Sequence, residues 1–154
     1  MTYSFTDKKL EGFTLIEILV VVALIAILAG ITIIAINPAQ NFEDTRNAQR
    51  SSDVNTILNA VTQYTAEDGN SLDDFAIAPA TEIAQCPTVD NIGTDSANVD
   101  LSDLIPDFIV AVPTDPSTGD DADTGYTICE TAAGRIEVTA PATEGDGDDI
   151  SVTR

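Results

Sequence analysis

Between Phe13 and Ile36 lie 24 residues, 20 of them apolar; the exceptions are Thr14, Glu17, Gly30 and Thr32. As a helix this run rises about 36 Å, against about 30 Å for the hydrocarbon core of a bilayer. It has no polar face, so it does not read as the amphipathic core helix of a soluble domain. The simplest expectation is a membrane-spanning helix. A cleaved secretory signal is the alternative, but its apolar region is usually about 7–15 residues and ends in small residues. This run is longer and leads into Ile36-Asn37-Pro38-Ala39-Gln40. Lys8 and Lys9 lie closer to the run than Arg46 and Arg50, which favours the N-terminus inside and the rest outside.

Glu17 is the one charge in the run. A carboxylate deep in a bilayer costs on the order of 2.5–3.5 kcal/mol, and less near the interface. Two readings stand side by side. Either Glu17 snorkels to the headgroups, or it awaits a cation from another chain.

Beyond Pro38 the chain changes character. Proline disfavours helical geometry at the residue before it, so a bend or loosening is expected at Asn37. Val54, Ile57, Leu58, Val61 and Tyr64 then recur at helical spacing as one apolar stripe, with Arg46, Arg50, Asp53, Asn55 and Gln63 mainly off it. One long helix from about 13 to 67, stopped by Gly69, is expected. Residues 70–107 read as loop-rich, with a short helix at 101–105. Strand-like runs follow at Phe108–Val112, Tyr126–Glu130, Arg135–Thr139 and Ile150–Thr153, with a tight turn at Ala133-Gly134. The apolar stripe needs a sheet to cover it, which makes the fold α+β: a long N-terminal helix packed on a small antiparallel sheet.

Composition removes several functions. The chain contains no His, which excludes Ser-His-Asp and Cys-His catalysis and every His-containing zinc site. With 26 acidic residues against 6 basic ones, the formal charge is −20, and no nucleic-acid contact is expected of this chain. No spacing singles out a carboxylate pair for acid–base work, so no enzymatic role and no catalytic residue is expected.

The segment Lys8-Lys9-Leu10-Glu11-Gly12-Phe13-Thr14-Leu15-Ile16-Glu17 resembles the processing site of type IV pilins and type II secretion pseudopilins. A basic pair, Gly, Phe, Thr-Leu-Ile, Glu and the apolar run agree in order. More loosely, Val112-Pro113-Thr114-Asp115-Pro116 followed by Tyr126 is similar to a turn that pseudopilins carry before a Tyr-containing strand. The resemblance implies a pilin-like fold with three parts. Residues 1–12 are a leader that a prepilin peptidase removes after Gly12, methylating Phe13. Residues 13–36 span the membrane and later form a filament core. Residues 37–154 form an extracytoplasmic domain. It implies that the Glu17 carboxylate pairs with the Phe13 amine of a neighbouring copy. Two charges that are each costly in lipid then cancel as subunits stack. The implied partners are further copies or related subunits in a helical filament, the peptidase, the membrane and an inner-membrane assembly platform. The implied location is the cell membrane, then an extracellular or periplasmic filament. The alternative is a single-pass anchored binding module that never polymerises.

Cys86 and Cys129 are the only cysteines. Outside the cytoplasm such a pair commonly forms a disulfide; two buried thiols are the alternative. No cofactor is expected, with one reservation. Asp115, Asp120, Asp121 and Asp123 in one loop, and Glu144, Asp146, Asp148 and Asp149 in another, combine carboxylates with glycine as calcium loops do. Some pseudopilins hold calcium in the region of the first cluster. Solvated acidic loops are the other reading of both. Removing residues 1–12 takes Asp7 and Glu11 with Lys8 and Lys9, so the charge stays at −20 on a chain without lysine. Such a chain is expected to work in salty or cation-rich surroundings, where repulsion is screened within about 8 Å or less.

Overall fold

In the computed structural model, residues 12–76, 82–145 and 149–154 are described. The chain divides into two compact units, residues 1–39 and 40–154.

Helix α1 spans Leu15–Ile36 and buries none of its side chains. It ends at Asn37, which adopts a left-handed conformation (φ 45°, ψ 74°). Two effects converge there. Proline removes the helical option at the preceding position, and Asn tolerates the left-handed region better than other branched or bulky residues. Helix α2 restarts at once as Pro38–Thr65, with proline at its first position, where the missing N–H is not needed. The expected single helix is thus two. The second ends four residues short of Gly69, with the Asn70 side-chain amide donating to the Tyr64 carbonyl at 3.2 Å.

The second unit is built on a four-stranded antiparallel sheet in the order β1-β2-β3-β4: Asp90–Asn91, Thr127–Glu130, Ile136–Ala140 and Ile150–Thr153. Strand β3 alternates as its sequence dictates, with Ile136, Val138 and Ala140 buried and Glu137 and Thr139 half-buried. The β2–β3 turn closes with Gly134 N donating to the Thr131 carbonyl at 2.8 Å. Gly134 sits at φ 72°, a conformation that favours glycine. Val54, Ile57, Leu58, Ala60 and Val61 of α2 share one core with Tyr126, Ile128, Val138 and Ala140 of the sheet.

Two further expectations are corrected. Phe108–Val112 is not a strand. Phe108 N and Ile109 N both donate to the Leu104 carbonyl, at 3.0 and 3.2 Å, so the segment turns instead of joining the ladder. Its apolar residues serve another purpose: the Phe108 ring meets Tyr64 edge-on at 5.6 Å, and Tyr64 stacks obliquely on Phe75 at 4.8 Å. Phe75 belongs to a 3-10 turn, Leu72–Phe75, and Ser102–Leu104 forms another within the expected 101–105 helix. Arg50 is the second correction. It lies on the buried stripe of α2, four residues before Val54, and is wholly buried.

Cys86 and Cys129 form a disulfide with Cα atoms 5.4 Å apart. Around it, Cys86 N donates to the Glu130 carbonyl and Glu130 N to the Ala84 carbonyl, both at 2.9 Å. The bridge therefore fastens the irregular 84–86 segment to β2.

Candidate functional site

Gly12, Phe13 and Thr14 precede the first turn of α1 and are exposed. Thr14 is the N-cap, in extended geometry (φ −78°, ψ 150°). Its hydroxyl oxygen accepts from Glu17 N at 3.2 Å. In return, Glu17 Oε2 accepts from Thr14 N and from the Thr14 hydroxyl, each at 3.2 Å. This is a reciprocal capping box, and such an N-cap is typically worth about 1 kcal/mol. Its signal was present in the sequence as Thr-x-x-Glu ahead of an apolar run, and the sequence reading missed it. The box has two consequences. The Gly12–Phe13 bond lies outside the helix, in exposed chain. The Glu17 carboxylate is turned back toward Phe13 and Thr14. Every large side chain of α1 is exposed, from Val20 at 47% to Ile34 at 84%. The helix is long and apolar enough to cross a membrane.

A family model described as "Prokaryotic N-terminal methylation motif" matches residues 8–33. The chain carries the type IV pilin and pseudopilin signal motif. The match takes in Gly12, Phe13, Glu17 and most of α1. It is the motif of a pilin-like or pseudopilin precursor anchored by an apolar N-terminal helix, and its family is structural, not enzymatic. No curated protein and no solved structure matches the chain.

The acidic loop after Val112 has its own organisation. The Asp115 side chain is completely buried against Arg50, with Nε to Oδ2 at 2.6 Å and Nη2 to Oδ1 at 3.2 Å. Asp115 Oδ1 also accepts from Ser117 N, Ser117 Oγ, Thr118 N and Thr118 Oγ1, at 2.8–3.1 Å. Burial pushes the Asp115 carboxyl up. The Arg50 bond and the Ser117 and Thr118 donors outweigh it and hold the carboxyl well below the usual carboxylate range.

Arg50 further donates to Ser117 Oγ at 2.6 Å and to Asn47 Oδ1 at 2.8 Å, and reaches Glu144 Oε1 at 3.0 Å. Arg46 forms a two-pronged pair with the same Glu144 carboxylate. Asn47 brackets the Glu144 backbone, donating to its carbonyl at 2.9 Å and accepting from its N–H at 3.1 Å. The Arg46 hydrogen bonds, against a smaller effect of burial and with help from Arg50, pull the Glu144 carboxyl from its ordinary 4.5 to about 2. Beside this network the buried Tyr126 hydroxyl donates to Asp53 at 2.9 Å. Burial first, then the Asp53 carboxylate, drives that phenol well above its ordinary value of 10.

The four aspartates considered for calcium have hydrogen-bond partners within the chain. Asp115 is committed to Arg50. Asp120 Oδ1 accepts from Ala122 N and Asp123 N, both at 2.9 Å, and Asp123 Oδ1 from Gly125 N at 3.0 Å. Asp121 offers its backbone carbonyl to Thr94. Among the described residues no three His, Cys, Asp or Glu side chains converge as a metal-holding group. In the second acidic cluster, Glu144 belongs to the arginine network, and Asp146 and Asp148 lie outside the described residues, as do residues 1–11.

Proposed function

We propose that this chain is a structural subunit of a type IV pilus or a type II secretion pseudopilus-like filament. The observation that carries the reading is the methylation motif placed over the exposed head of an apolar, wholly unburied helix. In this reading residues 1–12 are a leader and residues 13–36 the membrane and filament-core segment. Residues 37–154 face outward. A prepilin peptidase hydrolyses the Gly12–Phe13 bond, leaving a carboxylate on Gly12 and a free amine on Phe13, and methylates that amine. An assembly platform then lifts the subunit from the membrane into a helical stack of like subunits.

The capping box gives Glu17 an occupation before assembly. Its carboxylate rests on the Thr14 N–H and hydroxyl, two neutral donors at 3.2 Å. The charged Phe13 amine of a neighbouring subunit is a stronger donor, because charge-assisted hydrogen bonds are roughly twice as strong as neutral ones. In lipid the exchange also cancels two costly charges.

Three variants test this. Gly12→Val is expected to leave the leader uncut, and normal maturation would sink the processing claim. Glu17→Ala is expected to be cut and to stay in the membrane yet fail to enter filaments. Glu17→Gln separates charge from capping, because glutamine also closes a capping box. Its normal assembly would show that Glu17 serves only the helix start.

A further inference from the structure

The backbone from Val110 to Thr114 is left out of the hydrogen bonding that surrounds it. Before it, Ile109 N donates to the Leu104 carbonyl at 3.2 Å; after it, Asp115 N donates to the Thr124 carbonyl at 2.8 Å. Between the two, among the described residues, no N–H or C=O of residues 110–114 has a hydrogen-bond partner. Val112, Pro113 and Thr114 are nonetheless half-buried, and backbone groups drawn away from water call for partners. Ala111, Val112 and Thr114 form one wall of a cavity of about 340 Å³, to which Ile92, Leu101 and Ile105 add aliphatic surface. Val110, next to this wall, is 90% exposed. Three hydroxyls at the cavity are spent inside the chain. Thr94 donates to the Asp121 carbonyl at 2.9 Å, Thr124 to the Ile92 carbonyl at 2.8 Å, and Ser102 to Asp100 Oδ1. What stays open is negative charge: Asp100 Oδ2 and the Asp121 carboxylate have no partner among the described residues. A second cleft of about 320 Å³ shares Thr94 and Asp100 with the first and is edged by Asp74, Asp95 and Asp103. Among the described residues no Lys or Arg lines either one.

We infer that this groove takes an extended segment of a different polypeptide, one in which an aliphatic residue is followed by basic ones. The inference goes beyond the filament reading and does not need it. A docked extended segment pairs its backbone with open N–H and C=O groups, and pockets for its side chains select its sequence. The Val110–Thr114 run supplies the open groups. Pro113 helps, because it holds Val112 in the extended range that such pairing uses. The aliphatic cavity beside the run takes the apolar side chain, as such cavities do. Next to it, the carboxylates of Asp100, Asp121 and the adjoining cleft meet the basic residues. A concave surface of one sign focuses its field and draws the opposite charge. The same charge decides against a second copy of this chain, which at −20 brings far more carboxylates than cations. A small cation satisfies the carboxylates alone. The peptide uses the open backbone, the cavity and the charge together.

The test titrates the full-length chain, in micelles of a non-ionic detergent, with the peptide acetyl-Gly-Leu-Lys-Arg-Gly-amide, followed by calorimetry. Saturable binding of one peptide per chain is expected. Three altered peptides separate the three features. N-methylation of the leucine and lysine amides blocks backbone pairing, glycine in place of leucine empties the cavity, and glutamates in place of lysine and arginine reverse the charge. Each is expected to bind about tenfold more weakly or worse. In the chain, D100N/D121N is expected to weaken binding by about tenfold or more at the parental melting temperature, since asparagine keeps an oxygen for Ser102. A111F fills the cavity from an exposed position and is expected to abolish binding. The absence of saturable binding overturns the proposal. Parental affinity for the N-methylated or the leucine-free peptide overturns it too, as does parental affinity in D100N/D121N. Spermidine that binds as tightly as the peptide also overturns it, because the groove would then be a cation site only.

Discussion

Replacing Arg50 with methionine removes a buried guanidinium while keeping most of its apolar bulk. In the native fold the side chains of Arg50 and Asp115 are both fully shielded from water. Removing one partner of such a pair strands the other charge and costs about 3–5 kcal/mol. Two features place the expected loss near the lower end. Asp115 Oδ1 keeps its donors from Ser117 and Thr118, and Glu144 keeps Arg46. A loss of about 3 kcal/mol in a domain of this size lowers the melting temperature by on the order of 10–15 °C. The assay is thermal or urea unfolding of the full chain in detergent micelles, followed by tyrosine fluorescence and far-UV circular dichroism. Adding Asp115→Asn in the same chain removes the stranded charge while leaving an oxygen for the Ser117 and Thr118 N–H groups. The two substitutions together are therefore expected to cost less than the sum of their separate losses, by more than about 1 kcal/mol. An Arg50→Met loss below about 1 kcal/mol, or strict additivity with Asp115→Asn, would refute the claim that this pair organises the loop.

Four further outcomes follow from the same geometry. Glu144 and Asp115 both have folded values below their ordinary ones, Glu144 moving from 4.5 to about 2. A depressed carboxyl contributes stability above its unfolded value and loses it as pH falls, so stability should decline from about pH 4.5 downward through pH 2; a flat profile there contradicts the network. Reducing the Cys86–Cys129 bridge, which closes a separation of 43 residues, should cost about 4 kcal/mol in the chain-entropy account, read as a lower urea midpoint with dithiothreitol. Gly93→Ala should destabilise the fold by about 1–3 kcal/mol, because a Cβ there overlaps the Ala122 carbonyl oxygen, a backbone atom that cannot swing aside. Raising NaCl from about 0.05 to about 1 M shortens the screening length to about 3 Å, and the melting temperature should rise; no rise would mean that self-repulsion at −20 does not limit this fold.

The parts of the fold that were legible in sequence are those with a strong local period. The apolar run, the Val54–Tyr64 stripe and three of the four strands stand close to where hydrophobic spacing puts them. Asn37 was legible because proline constrains its predecessor whatever the tertiary context. Phe108–Val112 misled because an apolar run states that it is buried, not how; the Tyr64 ring and the Leu104 carbonyl decide that it turns. Strand β1 is two residues long and has no period to read. Polarity alone sets Arg50 off the stripe, although four residues before Val54 is a core-facing position. Its partner is 65 residues away, and no local pattern carries such a pairing. In the candidate site, Gly12, Phe13 and Glu17 were readable because the motif is contiguous. The capping box is legible too, in the three-residue spacing of Thr14 and Glu17 ahead of the apolar run.

The central claim is that this chain is processed at Gly12–Phe13, and the mass of the N-terminal peptide from native membranes tests it most directly. The account predicts a peptide that begins at Phe13 and is heavier by one methyl group. A peptide that retains Met1 to Gly12 would contradict it and leave an anchored monomer. One that begins beyond about residue 30 would contradict it in favour of a secreted soluble domain.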